Sequence, residues 1–170
     1  MQLKRKKTLL LLLKHRKFPE FMAKYEKFIK LVAVGKMRDR LFDTKCQEFI
    51  TRLNAYGKCE TVILPDSNVA NEGKAMLREL DKERNAMIIA LTEEGKEFTT
   101  ADFSAFLGTI DRKIVFIIGG PFGIAPEVKQ RADMLWALSK MTFTHEMARL
   151  LFYEQLYRAL NLLNGGAYHH

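Results

Sequence analysis

The chain has 170 residues, of which 48% are hydrophobic, and this is enough for one domain with a substantial core and a short appendage. Its formal net charge is +8, but residues 1–27 carry nine Lys/Arg against two Asp/Glu, whereas residues 28–170 carry 19 against 18. Because residues 28–170 are close to neutral, bulk charge is an argument for nucleic-acid binding only in the first 27 residues. Two cysteines are too few for a disulfide scaffold, and their spacing does not fit a zinc site.

The first 27 residues form a basic segment around a run of five leucines at positions 9–13. Five apolar residues cannot span a bilayer, and basic residues follow them where a signal peptide would have small residues for cleavage. Three interpretations stay open: a segment of little function upstream of the domain, a basic arm that contacts phosphates, and an organelle-targeting segment. We expect a cytoplasmic protein, not bound to membranes, in which Cys46 and Cys59 are reduced.

From residue 29 onward, apolar runs without polar alternation are separated by stretches of helical period. The predicted strands span residues 29–35, 60–65, 86–91, 113–120 and 134–139. The predicted helices span residues 37–53, 71–83, 99–110 and 145–163. Strands buried on both faces, in alternation with helices, predict an α/β domain whose mostly parallel sheet is covered by helices on both sides.

Helical periodicity also predicts which side chains share a face. In the first helix one face carries Leu41, Cys46, Phe49, Ile50 and Leu53. The second helix is expected to begin at Asn71 as its N-cap. The last helix is apolar around most of its circumference, which is typical of a helix that lies deep in a core or between two subunits.

The ends of the predicted strands carry the residues that favour a ligand site, because ligands of open α/β sheets bind beyond the carboxyl ends of the strands. Gly119, Gly120 and Gly123 follow the fourth strand. They form either a tight turn over a bound molecule or an ordinary strand-to-helix turn. Their spacing matches neither the GxGxxG motif nor a P-loop, so it does not indicate a phosphate-binding loop. Residues 138–145 mix hydroxyls with large apolar side chains, which indicates a loop that covers something flat, although Thr144 could simply cap the last helix.

Three segments in this order resemble one known family. They are "IKLVAVGK" (29–36), "IIGGPFGIAPEV" (117–128) and "LSKMTFTHEMARLLFYEQLYRALNLLNGGAYHH" (138–170). Together they are similar to the ribosomal RNA large-subunit pseudouridine methyltransferases of RlmH type, in the SPOUT superfamily. The resemblance covers residues 28–170, and residues 1–27 have no counterpart in it.

The resemblance implies a SPOUT-type α/β domain with a deep C-terminal trefoil knot, which works as a homodimer and needs no metal. It further implies that S-adenosyl-L-methionine binds in the knot crevice, largely through main-chain groups, where the glycines let the chain pass closely. Thr144 stands where relatives often have proline. Carried over by position, the cofactor contacts would be Leu91, Gly119, Gly120, Ser139, Lys140, Met141, Thr142, Phe143 and Thr144.

The substrate that the resemblance implies is a pseudouridine in a hairpin loop of 23S ribosomal RNA, methylated at N3 on the ribosome. Such a reaction needs a near-attack geometry and the removal of the N3 proton. Arg158 would stabilise the developing negative charge or a phosphate, His169 or Glu154 would help to remove the proton, and Tyr168 would pack on the base. The tail is expected to act in the partner's site. From residue types alone, Glu154 and Arg158 are equally an ordinary i, i+4 helix pair.

Two other classes of function fit the same residues. One is a catalytically silent RNA- or ribosome-binding module on the same fold. The other is a small-molecule or nucleotide-binding α/β protein, which would show no dependence on RNA.

Removal of residues 1–27 tests whether the basic segment is an arm for RNA. Because nine of the 28 Lys/Arg lie there, we expect a lower affinity for ribosomal RNA and a shallower dependence of that affinity on salt. Titrations of the full and truncated chains at several salt concentrations measure both quantities. Unchanged binding would make the segment incidental.

Overall fold

The apolar runs pair into one parallel sheet. The computed structural model describes residues 27–168. Its strands are β1 (Lys27–Val34), β2 (Gly57–Leu64), β3 (Ala86–Glu97), β4 (Lys113–Ile118) and β5 (Met134–Ala137). Within the described range they lie in the order β2–β1–β4–β3–β5, and every neighbouring pair is parallel. The predicted α/β class with a mostly parallel sheet is confirmed.

Helices cover both faces of this sheet. They are α1 (Arg40–Leu53), α2 (Val69–Leu80), α3 (Thr100–Thr109), α4 (Pro126–Arg131) and α5 (His145–Leu163). One core, beneath α1, α3 and α5, contains Leu31 and Ala33 of β1, and the other, beneath α2 and α4, contains Val32 and Val34. Because successive side chains of the strand enter opposite cores, the central strands are apolar without alternation.

Three details of the helices differ from the predictions. Asn68, not Asn71, is the N-cap of α2, since its side chain accepts a hydrogen bond from the Asn71 N–H at 2.9 Å. Leu41 does not share the buried face of α1, because it lies in the first turn and is 76% exposed. The six-residue helix α4 was not predicted, because one and a half turns are too few for a periodic signal.

Strand β3 is twice as long as predicted. Its pairing with β5 shifts between Leu91 and Lys96, so that residues 92–95 bulge out of the strand before pairing resumes. Gly95 allows β3 to pair with β5 again after the bulge, because a Cβ at this position would lie 2.5 Å from the main-chain N and C of Trp136. The polar sequence of this bulge resembles a loop, which is why the second half of the strand was missed.

The first described residue, Lys27, belongs to β1. Its side chain is buried and donates a hydrogen bond to the Ile110 carbonyl, and desolvation lowers its pKa. A truncation that tests the basic segment should therefore end at residue 26. Cys46 and Cys59 are free, and burial raises the pKa of each thiol to about 11.

The long helix α5 has the bounds that the sequence predicts, and its buried apolar residues belong to the core that it shares with α1, α3 and the sheet. Phe152 is fully buried, with its ring 4.8 Å from that of Phe116 and 6.3 Å from that of Trp136. Arg149 is buried as well, and it donates to the carbonyls of Val34 and Gly35 at 2.7 Å each. None of the helices between residues 27 and 168 has the length and apolar character to cross a membrane.

Replacement of Phe152 tests the contribution of this packing. Phe152→Ala should lower the free energy of unfolding by about 3–5 kcal/mol, because it removes a buried ring and leaves a cavity between α5 and the sheet. Phe122→Ala is the matched control, since that ring is 77% exposed and its loss should change stability by less than about 0.5 kcal/mol. Denaturant unfolding followed by circular dichroism measures both, and similar losses would contradict the assigned core.

Candidate cofactor pocket

A pocket of about 360 Å³ opens at the carboxyl ends of β3, β4 and β5. This is the edge of the sheet at which a ligand is expected, and its volume falls within the range of small-molecule sites. Three walls enclose it. They are the bulge of β3 (residues 92–95), the turn after β4 (residues 119–124), and the segment 138–148 that leads from β5 into α5.

The turn after β4 depends on glycine for reasons internal to the protein. The Gly123 N–H donates to the Gly120 carbonyl at 3.0 Å, and Gly123 has φ of +83°, which favours glycine. A Cβ on Gly119 would lie 2.5 Å from the Gly123 carbonyl oxygen, and one on Gly120 would lie 2.8 Å from Glu72 Oε2. A side chain at Gly119 would therefore collide with the turn itself, and one at Gly120 would collide with the buried carboxylate of Glu72.

Lys140 and Lys129 hold the bulge of β3 in place. Lys140 Nζ donates to the carbonyls of Glu93 at 3.1 Å and Gly95 at 2.8 Å, which ties the β5–α5 segment to the bulge across the pocket wall. Lys129 on α4 forms an ion pair with Glu94 at 2.9 Å. Two walls from distant parts of the chain are thus fixed relative to each other.

The third wall ends at the cap of α5. Ser139 Oγ accepts a hydrogen bond from the Met141 N–H at 3.0 Å, and Thr144 caps α5 by accepting from the Met147 N–H at 3.3 Å. Beyond the cap, His145 and Ala148 of the first helical turn line the pocket.

Most of the residues predicted for the cofactor lie around this pocket. Those that line it are Leu91, Gly119, Gly120, Ser139, Met141, Thr142 and Phe143. Lys140 and Thr144 do not line it, because the first bonds the bulge and the second caps α5. That these residues contact the cofactor stays a prediction.

The residues carried over for the cofactor leave out several that line the pocket, chiefly Thr92, Glu93, Glu94, Lys129 and Ala148, whereas Leu138 and His145 lie in the segment 138–145 that the sequence indicated as a cover. The bulge residues carried one usable signal, since a Gly after a polar run that follows an apolar strand is typical of a bulge. His145 and Ala148 belong to the predicted last helix, but nothing local in their sequence shows that this helix begins beside the glycine turn.

The lining suits S-adenosyl-L-methionine by its chemistry. Leu138, Phe143 and Ile118 provide apolar surface for a flat adenine ring, and Glu93 provides negative charge for a molecule that carries a sulfonium and an ammonium group, whereas the charge of Glu94 is paired with Lys129. No group of three or more His, Cys, Asp or Glu side chains that could hold a metal ion lies within residues 27–168.

The predicted catalytic residues form a second cluster at the other end of α5. Arg158 donates through Nε and Nη2 to Glu154 Oε1, at 2.9 Å for Nε, and this bond raises the pKa of Arg158. Its guanidinium lies 4.8 Å from the centroid of the Tyr168 ring, and the Tyr168 N–H donates to Asn161 Oδ1 at 2.9 Å. The tail is thereby folded back on the helix, and His169 lies outside the described residues.

One chain does not bring this cluster to the pocket. Ala148 is the last residue of α5 that lines the pocket, and Arg158 lies ten residues further along the helix, which at 1.5 Å per residue is about 15 Å. A helix is rigid over this length, so Arg158, with Tyr168 packed on it, stays remote from the pocket of the same chain.

Comparisons with known proteins agree on one family. The family described as "Predicted SPOUT methyltransferase" matches residues 28–169. The chain is 41% identical over 150 residues to a protein of Gloeobacter violaceus named ribosomal RNA large subunit methyltransferase H, which covers 84% of this chain and 98% of that protein. A protein of the same name from Maridesulfovibrio salexigens is 39% identical over 154 residues, with 84% and 97% covered.

Among solved structures, a probable methylase family protein from Haemophilus influenzae Rd KW20 has a similar fold. The TM-score is 0.53 at 12% identity, and the match covers 82% of this chain and 69% of that one. At this identity the likeness concerns the fold alone.

Gly119→Ala tests the pocket. Because its Cβ would meet the Gly123 carbonyl, the turn must shift, and we expect the affinity for S-adenosyl-L-methionine to fall by at least about tenfold. Isothermal titration calorimetry measures the affinity, and circular dichroism confirms that the variant is folded. The control is Gly108→Ala on α3, whose Cβ would meet only the end of the Leu163 side chain at 3.0 Å. Unchanged binding by Gly119→Ala would remove the glycine turn from the site.

Proposed function

The chain belongs to the SPOUT methyltransferase family, and we propose that it transfers the methyl group of S-adenosyl-L-methionine to N3 of a pseudouridine in large-subunit ribosomal RNA. The observation that carries the proposal is the pocket, which the glycine turn, the bulge of β3 and the start of α5 enclose at the carboxyl edge of the sheet. The names of the relatives, ribosomal RNA large subunit methyltransferase H, support the class of substrate. From such a substrate we infer that the protein acts together with ribosomes, in the cytoplasm.

In this reaction the pocket binds and orients the methyl donor. The bound cofactor supplies an electrophilic methyl group, and the protein's contribution is to hold the acceptor nitrogen in line with it. The apolar residues Leu138 and Phe143 would hold the adenine, while Glu93 would face the positive charges. The Lys140 bonds to the bulge keep these walls at a constant spacing, which a displacement of this kind requires.

The proton on N3 must also leave, and the contacts of Glu154 favour His169 for that role. Both oxygens of Glu154 already accept hydrogen bonds, one from Arg158 and the other from Gln155 Nε2 at 2.6 Å. A carboxylate held in this way orients Arg158 more readily than it removes a proton. We therefore assign stabilisation of negative charge to Arg158, packing on the base to Tyr168 and proton removal to His169.

The separation of about 15 Å along α5 between Ala148 and Arg158 supports a homodimer in which the tail of one copy completes the pocket of the other. Ala148 and Arg158 share one rigid helix, and Tyr168 packs on Arg158, so we infer that a second copy brings an Arg158 and a Tyr168 near the cofactor. The partner's tail would then close the pocket over the target base.

Mapping of ribosomal RNA modifications by mass spectrometry, with and without this protein, tests the reaction. The expected result is one additional methyl group on a pseudouridine of the large-subunit RNA when the protein is present. Failure to bind S-adenosyl-L-methionine, or an unchanged modification map, would overturn the proposal.

Deletion of residues 167–170 tests the tail. It should abolish methylation and leave the affinity for S-adenosyl-L-methionine close to that of the full chain, because neither Ala167 nor Tyr168, the described residues of the tail, lines the pocket. Coexpression with the Gly119→Ala variant is the sharper experiment. Mixed dimers contain one intact pocket facing one intact tail, so about a quarter of full activity should return. No recovery, with mixed dimers demonstrated, would show that each tail acts on its own chain.

A further inference from the structure

The loop after β1 carries a set of cations that the proposed reaction leaves unused. Lys36, Arg38 and Arg40 are all exposed. Within residues 27–168 neither Lys36 nor Arg40 has an ion-pair partner, and Arg38, 84% exposed, has only Asp66 at 4.0 Å. An exposed pair at this distance contributes little, so all three charges are available to a ligand.

The main chain of this loop is held firmly although its side chains are exposed. Glu146 Oε2 accepts hydrogen bonds from the N–H groups of Arg38 and Asp39, both at 3.0 Å, and these bonds, that of Asp39 first, lower the pKa of Glu146. Arg149 donates to the Gly35 carbonyl, and Gly35 has φ of +78°. The cations therefore extend from a fixed backbone rather than from a mobile segment.

The same helical turns that hold the loop also line the cofactor pocket. His145 and Ala148 face the pocket, whereas the intervening Glu146 and the following Arg149 hold the loop. The contact is close, since a Cβ on Gly35 would lie 3.3 Å from His145 Nε2. The basic loop consequently lies beside the pocket, on the far side of the first turn of α5.

The other segments at this edge of the sheet offer no comparable charge. The loop after β2 contains Asp66, the bulge of β3 contains Glu93 and Glu94, and the turn after β4 has no charged residue. Lys140 is bound to the bulge. Because the body of the protein is close to neutral, an RNA bound at this edge meets its main concentration of free positive charge at the loop after β1.

We propose that residues 35–40 form the phosphate-binding element for the RNA substrate, with Lys36, Arg38 and Arg40 contacting backbone phosphates beside the pocket. Glu146 and Arg149 act as positioning residues for this element. The inference rests on the proposed function, because it takes the partner to be RNA.

The test is a triple variant, Lys36→Gln, Arg38→Gln and Arg40→Gln, in the full chain, with ribosomes purified from cells that lack this protein as the probe. Each phosphate contact contributes about 0.7–0.9 to the slope of log Kobs against log salt, so the slope should become shallower by about 2. Affinity for S-adenosyl-L-methionine should be unchanged, because none of the three residues lines the pocket.

The matched control removes the same charge from the opposite edge of the sheet through Arg78→Gln, Lys82→Gln and Arg84→Gln, all exposed in the wild type. It should retain the wild-type slope. An equal decrease of the slope in both variants would show a response to net charge and overturn the proposal. A wild-type slope in the loop variant would also overturn it, as would a change in the oligomeric mass of that variant by light scattering. Wild-type protein that fails to bind ribosomes would instead refute the proposed function.

Glu146→Ala separates positioning from charge. This variant removes one negative charge and so raises the net charge by one. If binding responded only to net charge, the variant would bind ribosomes more tightly. Loss of the acceptor for Arg38 and Asp39 releases the loop, and the proposal predicts weaker binding with the salt slope retained. Tighter binding would exclude the positioning role of Glu146.

Discussion

The contact between Arg149 and the end of β1 fixes α5 relative to the sheet, and with it the pocket and the basic loop. A guanidinium that is 2% exposed is costly to desolvate, and burial lowers its pKa. Two bonds of 2.7 Å to the Val34 and Gly35 carbonyls offset that cost only while α5 stays in register with the strand. Because the first turns of α5 also face the pocket and hold the basic loop, this one side chain couples both to the sheet.

Two glycines allow segments of main chain to come into close contact at the walls of the pocket. Gly119 lies against the Gly123 carbonyl, and Gly95 lies against the main chain of Trp136. Neither position has room for a Cβ, so both contacts depend on glycine. Walls packed in this way keep their spacing, which suits a site that must hold a small molecule in one orientation.

Helix α5 serves both halves of the proposed active site, but at opposite ends. Its first turn belongs to the pocket, whereas Glu154 and Arg158 lie two to four turns further, with Tyr168 folded onto them. The rigidity that positions each half also keeps them apart in one chain, and a second copy related by symmetry is the simplest way to join them. The bond of Glu154 to Arg158 is the ordinary i, i+4 helix pair, and it also holds the Arg158 guanidinium in the orientation that its proposed role needs.

The sequence by itself determined the α/β class and the bounds of α5, because burial on both faces and helical period are local properties of the chain. It also indicated the glycine turn and the segment 138–144, while the trefoil knot that the resemblance implies stays a prediction. Only the tertiary structure decided the strand order, the bulge of β3 and the entry of His145 into the pocket. Each of these depends on pairing or packing between distant segments, such as Lys96 with Trp136, and no local pattern encodes such a partner.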